Sequence, residues 1–359
     1  MRVGADENAD AATGPPLAKG GQEGGPLVVS TRSILVGAGL VVVLAVGLVA
    51  LLGKAAGYSE VLGALGRASG PWVIGCLVLE AASYAGYVVC LRAVVAHNGG
   101  PALPGTSATR VWLASMGATR LVSPAGVGGL ALMYWLLRKA GLHPRDAAAR
   151  VLGLNILLFS MFGIWALATS LVILIRSGGD APLGMIVPWL VVVPVIAVTG
   201  LWISEGERGE RVSADTHHGW LRKGRAAFVA GIIVARTALR PPRLDPRILG
   251  GATVYWVGDL ACLWGALRAI GAEVSLPGVA LAYATAYVAM LLPLPTGGYG
   301  ALDAASAFTL TMLGLPLAEA IAGVMVWRVF NFWLPTIPAL IEVARSRDLA
   351  RTLARDTGG

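Results

Sequence analysis

The sequence predicts an all-α polytopic membrane protein, organised as an inverted-topology repeat with about six full spans and two segments broken by proline and glycine. Three observations predict this class. Of 359 residues, 56% are hydrophobic and only 13% charged, and the mean hydropathy is +0.72, well beyond what the core of a soluble domain requires. Apolar runs of spanning length recur along the chain and leave no polar stretch long enough for a separate soluble domain. Two further apolar segments are interrupted near their middles by proline and clustered glycine.

Uninterrupted runs lie at about 33–53, 71–93, 147–175, 183–203, 248–270 and 320–343, each near the length that the hydrocarbon core demands. The interrupted segments are 106–140, broken by SPAGVGG at residues 123–129, and 277–314, broken by LPLPTGGYG at residues 292–300. A helix cannot carry its hydrogen-bond ladder through such sequences. Exposed backbone survives at membrane depth only where protein or a wet cavity satisfies it, so each segment reads as a hairpin or re-entrant pair of half-helices. Residues 1–30, rich in Gly, Ala and Pro, read as a disordered cytoplasmic tail. The membrane domain then spans 31–345, with repeat one at 33–176, repeat two at 183–343 and a basic cytoplasmic loop at 204–247. A short basic tail, 346–359, follows.

The net charge of +8 comes from residues between the apolar runs and not from a polar basic domain, which argues against nucleic acid as a partner. Arginines concentrate in 205–247 and after Arg345, placing both segments, and with them both termini, in the cytoplasm of an inner-membrane protein. On that topology each half reads span, span, hairpin, span, and the halves start on opposite sides. Short matches keep the same order in both halves: LRAVVA at 91–96 with LRAIGA at 267–272, PAGVGG at 124–129 with PLPTGG at 293–298, and GLHPRDA at 141–147 with GLPLAEA at 314–320. The stretch 220–240 reads either as an amphipathic helix on the inner membrane surface or as a solvated basic loop.

Broken helices at matching positions of inverted halves point to a transport site, because half-helix N-termini direct positive dipole ends at anionic groups near the midplane. Close helix packing is the other reading of such glycines. Ionisable residues inside apolar runs are costly unless paired or hydrated, which singles out Glu80, Arg120, Asp259, Asp303 and Arg328. Glu80 and Asp259, within the second and fifth runs, are candidate proton carriers. Arg120, Asp303 and Arg328, near the breaks or in the last run, are candidate substrate-binding residues or interhelical ion pairs. Arg150 reads as a snorkelling residue and Asn155 as an interhelical bond donor. Neither zinc-protease nor hydrolase motifs occur, the four histidines fall in predicted loops, and Lys54 lacks the phosphate-loop pattern. The expectation is a non-enzyme without cofactor or metal. Cys76, Cys90 and Cys262 fall in apolar runs and read as core residues.

Through these residues the chain resembles the flippase-like membrane domain family of lysylphosphatidylglycerol synthases, over most of its length after residue 30. The resemblance is carried by SPAGVGG with the basic pair and GL that follow it (residues 123–142), by LLPLPTGGYGALDA (residues 291–304) and by WRVFNFWLP (residues 327–335). In the family's second motif a glutamate is usual where this chain has Asp303, and Arg328 matches an arginine common in the last span. An acidic residue and an arginine often follow the glycines of the first motif. Residues 130–135 are apolar or aromatic here, leaving Arg120 or Arg138 to substitute. The resemblance implies movement of an anionic or aminoacylated phospholipid, or of a polyprenyl-phosphate-linked lipid, between leaflets. The soluble domain that carries aminoacyl transfer is not in this sequence. The substrate-binding set expected is Arg120, Pro124, Gly128, Gly129, Pro295, Gly297, Gly298, Gly300, Asp303 and Arg328, with Glu80 and Asp259 for coupling. A small-solute or ion transporter using the same hairpins, and a non-transporting partner of a cell-envelope enzyme, are the alternatives.

Overall fold

Among the described residues, five long helices set the frame, and two helical hairpins enter it from opposite ends. The structure, a computed structural model, describes residues 58–122, 127–177, 182–213, 220–240, 244–291 and 299–357. The predicted tail 1–30 and first span 33–53, and Pro124, Pro295, Gly297 and Gly298, lie outside the described residues.

After a short helix α1 (Tyr58–Gly66), α2 runs over Gly70–Ala96 with proline in its first turn, where a missing N–H costs nothing. Its 27 residues reach about 40 Å, enough to cross a bilayer. The spans that follow are α5 (Pro144–Arg176), α6 (Leu183–Ile203) and α9 (Pro246–Ala269). The last is a broken span made of α12 (Leu317–Arg328), a π-helical turn (Val329–Trp333) and α13 (Leu334–Ala344). Large apolar side chains such as Ile74, Ile175, Ile196 and Ile337 face outwards, which lipid accommodates and water would not.

The central pair is α2 with α9, and small residues let these helices touch. A Cβ built on Gly86 would lie 2.7 Å from the carbonyl oxygen of Gly251, and one on Gly251 would lie 2.7 Å from that of Gly86. The reciprocity marks a local twofold relation between equivalent helices of the two halves. Moving away from the crossing along the pair, Ser83 Oγ donates to Tyr255 O (2.7 Å) and, further on, Cys76 Sγ to Cys262 O (3.5 Å). As one residue number falls the other rises, so the helices are antiparallel, as an inverted repeat requires.

Hairpin one is α3 (Gly105–Val122) with α4 (Val127–Lys139); hairpin two is α10 (Leu276–Tyr287), extended by a 3₁₀ turn to Leu291, with α11 (Tyr299–Met312). Both second arms end in the same cap. Gly141 and Gly314 adopt φ of 86° and 93°, and Leu142 N and Leu315 N each donate 3.3 Å back to Leu137 O and Leu310 O. This left-handed cap favours glycine. The weak GLHPRDA/GLPLAEA sequence match is thus one structural unit used twice.

The hairpins are re-entrant. Along α3, Ser107 Oγ donates to Asp356 Oδ2 (2.7 Å), Arg110 pairs with Glu342 (2.9 Å), Gly117 abuts Ala339 and Arg120 Nη1 reaches Phe332 O (2.8 Å). The arm therefore travels from the C-terminal end of the last span to its middle. The α11 arm leaves Arg328, in that middle, at Asp303 and ends at the Gly314 turn that opens α12. The described arms of the two hairpins thus reach the middle of the last span from opposite ends.

The basic segments that follow α6 and the last span are helical. Within 204–247, α7 (Gly206–Ser213) is followed by α8 (Trp220–Ala238), which packs along α5 with Gly231 against Leu152 and Gly153. Arg236 Nη1 donates to Ser204 O (2.9 Å). This replaces the solvated-loop reading, because the glycine pair gives α8 a helix to pack on. Residues Ser346–Thr357 form α14, whose Leu349 and Leu353 are buried against hairpin one. Arg150 is buried and holds the last carbonyls of α2, Val95 O (3.0 Å) and His97 O (2.8 Å), instead of snorkelling. Asn155 bonds Val151 O of its own helix, not a neighbour.

Asp245 caps α9, accepting from Arg247 N (2.9 Å) and from the Arg247 guanidinium (2.7 Å at its shortest). The Arg247 hydrogen bonds hold its carboxyl below the usual carboxylate range. A lowered folded-state value gives stability that is present above the unfolded value and lost as pH falls through the folded one. Asp245→Ala is expected to cost about 1 kcal/mol at neutral pH, and the difference from wild type in thermal unfolding in micelles should vanish in strongly acidic buffer.

Candidate functional site

The middle of the last span carries the site, and proline explains why that span is open there. Pro335 has no N–H, so the carbonyl four residues earlier, Asn331 O, has no helical partner. The π-helical turn at Val329–Trp333 is the local result, and such turns bring backbone groups out of the ladder. Two other helices satisfy them. Tyr84 Oη donates to Asn331 O (2.8 Å) and Phe330 O (3.2 Å). From the last turn of α3, Arg120 donates to Phe332 O (2.8 Å) and Asn331 O (3.2 Å) and to the Thr336 hydroxyl, with its guanidinium carbon 4.4 Å from the Phe332 ring centre.

On the other side of the turn, Arg328 pairs with Asp303 in the second turn of α11 and donates from Nη1 to Asn331 Oδ1 (2.9 Å). The Asn331 amide donates to Asp259 Oδ1 (2.7 Å) and at 3.4 Å to Glu80 Oε1. Asp259 also accepts from Trp327 Nε1 (2.7 Å), Tyr283 Oη (2.5 Å) and Tyr287 Oη (3.2 Å). Glu80, Arg120, Asp259 and Arg328 are all at most 5% exposed.

All five ionisable residues singled out from the sequence therefore meet in one network, although they come from α2, α3, α9, α11 and α12. Each sits near the middle of its span or at the tip end of its hairpin arm, far from either end of the bundle. Three carboxyl groups and two guanidinium groups share this apolar interior, where an isolated charge is costly. The mutual pairing offsets that cost. Arg120 is aimed at backbone carbonyls, so it ties the tip of hairpin one to the broken span. Arg328 stands between the tip of hairpin two and Asn331.

The glycines divide. Gly129 lies so close to α3 that a Cβ would fall 2.0 Å from Thr119 Oγ1 and 2.5 Å from Ser115 O, so it permits the arms of hairpin one to pack. Gly128 is buried beside it, and Gly300 is half-buried in the first turn of α11, one helical turn from Asp303. Tyr84, Tyr283, Tyr287 and Trp327 are missing from the sequence-based set. Aromatic residues in an apolar run carry no charge signal, and only the folded structure turns their polar tips toward Asp259 and the π-helical turn. Pro335 did carry a signal: it lies within WRVFNFWLP, in a run read as uninterrupted.

An inverted pair of halves, each sending a hairpin to a buried charged centre near the middle of the spans, defines an all-α polytopic membrane protein. The chain belongs to the family described as the lysylphosphatidylglycerol synthase TM region, whose family model matches residues 35–339. No curated protein matches the chain.

Proposed function

We propose that the protein moves an anionic or aminoacylated phospholipid, or a polyprenyl-phosphate-linked lipid, between membrane leaflets, and does not synthesise it. The observation that carries this reading is that the two hairpins reach the same broken span from opposite ends, hairpin one through Arg120 at the Asn331 and Phe332 carbonyls and hairpin two through Asp303 at Arg328. A head group crossing between them meets a guanidinium fork suited to phosphate and, beside it, a carboxylate suited to an ammonium group. The acyl chains stay in lipid. Membership of a lipid-associated membrane family supports the same reading.

In this mechanism the phosphate takes the place of Asp303 at Arg328, and Asp303 is released to face the cationic part of an aminoacylated head group. Arg120 keeps the broken span open by holding its carbonyls. The bundle end that carries Arg138, Lys139, Arg145, Arg345, Arg347 and Arg351 faces the cytoplasm, following the positive-inside rule.

The test is leaflet exchange: purified protein in liposomes, head-group-labelled lipids of different charge, and a membrane-impermeant quencher added outside. Faster loss of protection for an anionic or aminoacylated lipid than in protein-free liposomes is expected. Folded protein that accelerates no lipid, with ion gradients imposed in either direction, contradicts the reading.

A further inference from the structure

The two carboxyl groups on the paired helices α2 and α9 are not equivalent. Asp259 is saturated by four donors, two on each oxygen: Trp327 and Asn331 on Oδ1, Tyr283 and Tyr287 on Oδ2. Such a donor set favours the ionised form. Glu80, equally buried, accepts from the Asn331 amide at 3.4 Å and has the Tyr84 hydroxyl and the Cys262 thiol beside it, but its Oε2 makes no hydrogen bond among the described residues. A carboxylate oxygen buried without a donor is costly, whereas a protonated one can itself donate.

An acceptor stands ready. Tyr84, one helical turn along α2, lies beside Glu80 and spends its own hydrogen on the carbonyls of Asn331 and Phe330, so its oxygen is left to accept. The other titratable or charged groups about this carboxyl are Asp259 and Cys262 from α9, Cys76 on α2 itself, Arg328 from α12 and Arg120 from α3, which acts through Tyr84. The facing stretch of α5, residues 154–166, contains no titratable side chain.

We infer that Glu80 is a proton-binding site that couples lipid movement to a proton gradient, with the four-fold hydrogen-bonded Asp259 as its fixed counterpart and Asn331 as the link to the head-group site. The step is one proton passing from water to the Glu80 carboxylate, whose new O–H donates to the Tyr84 oxygen, and back to water on the other side. When Glu80 is ionised, its charge competes with Asp259 for the Asn331 amide hydrogens. Turning that amide moves Asn331 Oδ1, the acceptor for Arg328 Nη1. The hold on Arg328, and so its availability to phosphate, then follows the proton at Glu80. This coupling rests on the transport reading above, but the proton site itself is read without transport.

The experiment has two arms, both on the full chain. Infrared difference spectra of the purified protein between acidic and alkaline buffer are expected to show a carboxylic-acid C=O band in wild type that Glu80→Gln removes and Asp259→Asn retains. A band that persists in Glu80→Gln overturns the assignment, and so does the absence of a band in wild type. In proteoliposomes, an imposed pH gradient should raise leaflet exchange by wild type several-fold, while exchange by Glu80→Gln should not respond to the gradient, whatever its basal rate. Exchange that ignores the gradient in wild type overturns coupling. If wild type moves no lipid at all, the transport reading fails while the infrared result still decides the proton site. Glu80→Gln is nearly isosteric, and unchanged thermal unfolding in micelles verifies that its effects are not those of misfolding.

Discussion

Asp259→Ala is expected to be among the most damaging single substitutions in this protein, lowering stability by about 3–5 kcal/mol or preventing folding. The expectation follows from what the carboxylate holds. Two of its partners, Tyr283 and Tyr287, lie on the first arm of hairpin two; the other two, Trp327 and Asn331, lie on the last span. Alanine leaves two hydroxyls, an indole N–H and an amide without their acceptor in an apolar interior, and it unties hairpin two from α9. Asp259→Asn keeps one carbonyl oxygen and the shape, so its cost should be clearly smaller. Unfolding in mixed micelles followed by tryptophan fluorescence measures both. A loss under about 1 kcal/mol for Asp259→Ala would show that the network is not what holds hairpin two.

The second large effect is on transport. Arg328→Ala is expected to slow leaflet exchange at least about ten-fold, equivalent to about 1.4 kcal/mol of barrier, because the phosphate loses its guanidinium partner. It also leaves the half-buried Asp303 without its cation, so Arg328→Ala with Asp303→Asn is the fairer background for the comparison. Arg328→Lys should rescue only part of the rate: the charge returns, but an ammonium group cannot hold Asn331 Oδ1 and a phosphate in the plane of one fork. Exchange at the wild-type rate in Arg328→Ala would remove this residue from the head-group path.

Much of this arrangement was legible before the structure. Spans declare themselves by apolar length, and the breaks by glycine and proline, since both signals are local. The caps at Gly141 and Gly314 were visible as a repeated GL-containing motif, because the left-handed turn there favours glycine in both halves. Glu80, Arg120, Asp259, Asp303 and Arg328 stood out because charge in an apolar run is rare and costly. What the sequence could not carry was partnership. Arg120 and Arg328 look alike in sequence, yet one is spent on carbonyls freed by the π-helical turn while the other sits in an ion pair. Glu80 and Asp259 look alike too, and differ only in how many donors the fold delivers to each. Basic composition left α8 open between helix and loop and made α14 read as a tail, because the packing that makes them helices comes from apolar and small residues on one face: Gly231 against Leu152 and Gly153, Leu349 and Leu353 against hairpin one.

The central claim is that Arg328 serves the head group and does not merely neutralise Asp303. The most direct measurement is leaflet exchange in the charge-swapped protein, Asp303→Arg with Arg328→Asp, beside each single substitution. Each single change places two like charges together and should both destabilise the protein and abolish exchange. The swap restores an ion pair between α11 and α12, so the account predicts that wild-type thermal stability returns while exchange stays lost, the guanidinium having moved off the broken span. Recovery of exchange along with stability in the swapped protein would contradict the account and reduce the pair to a structural bridge.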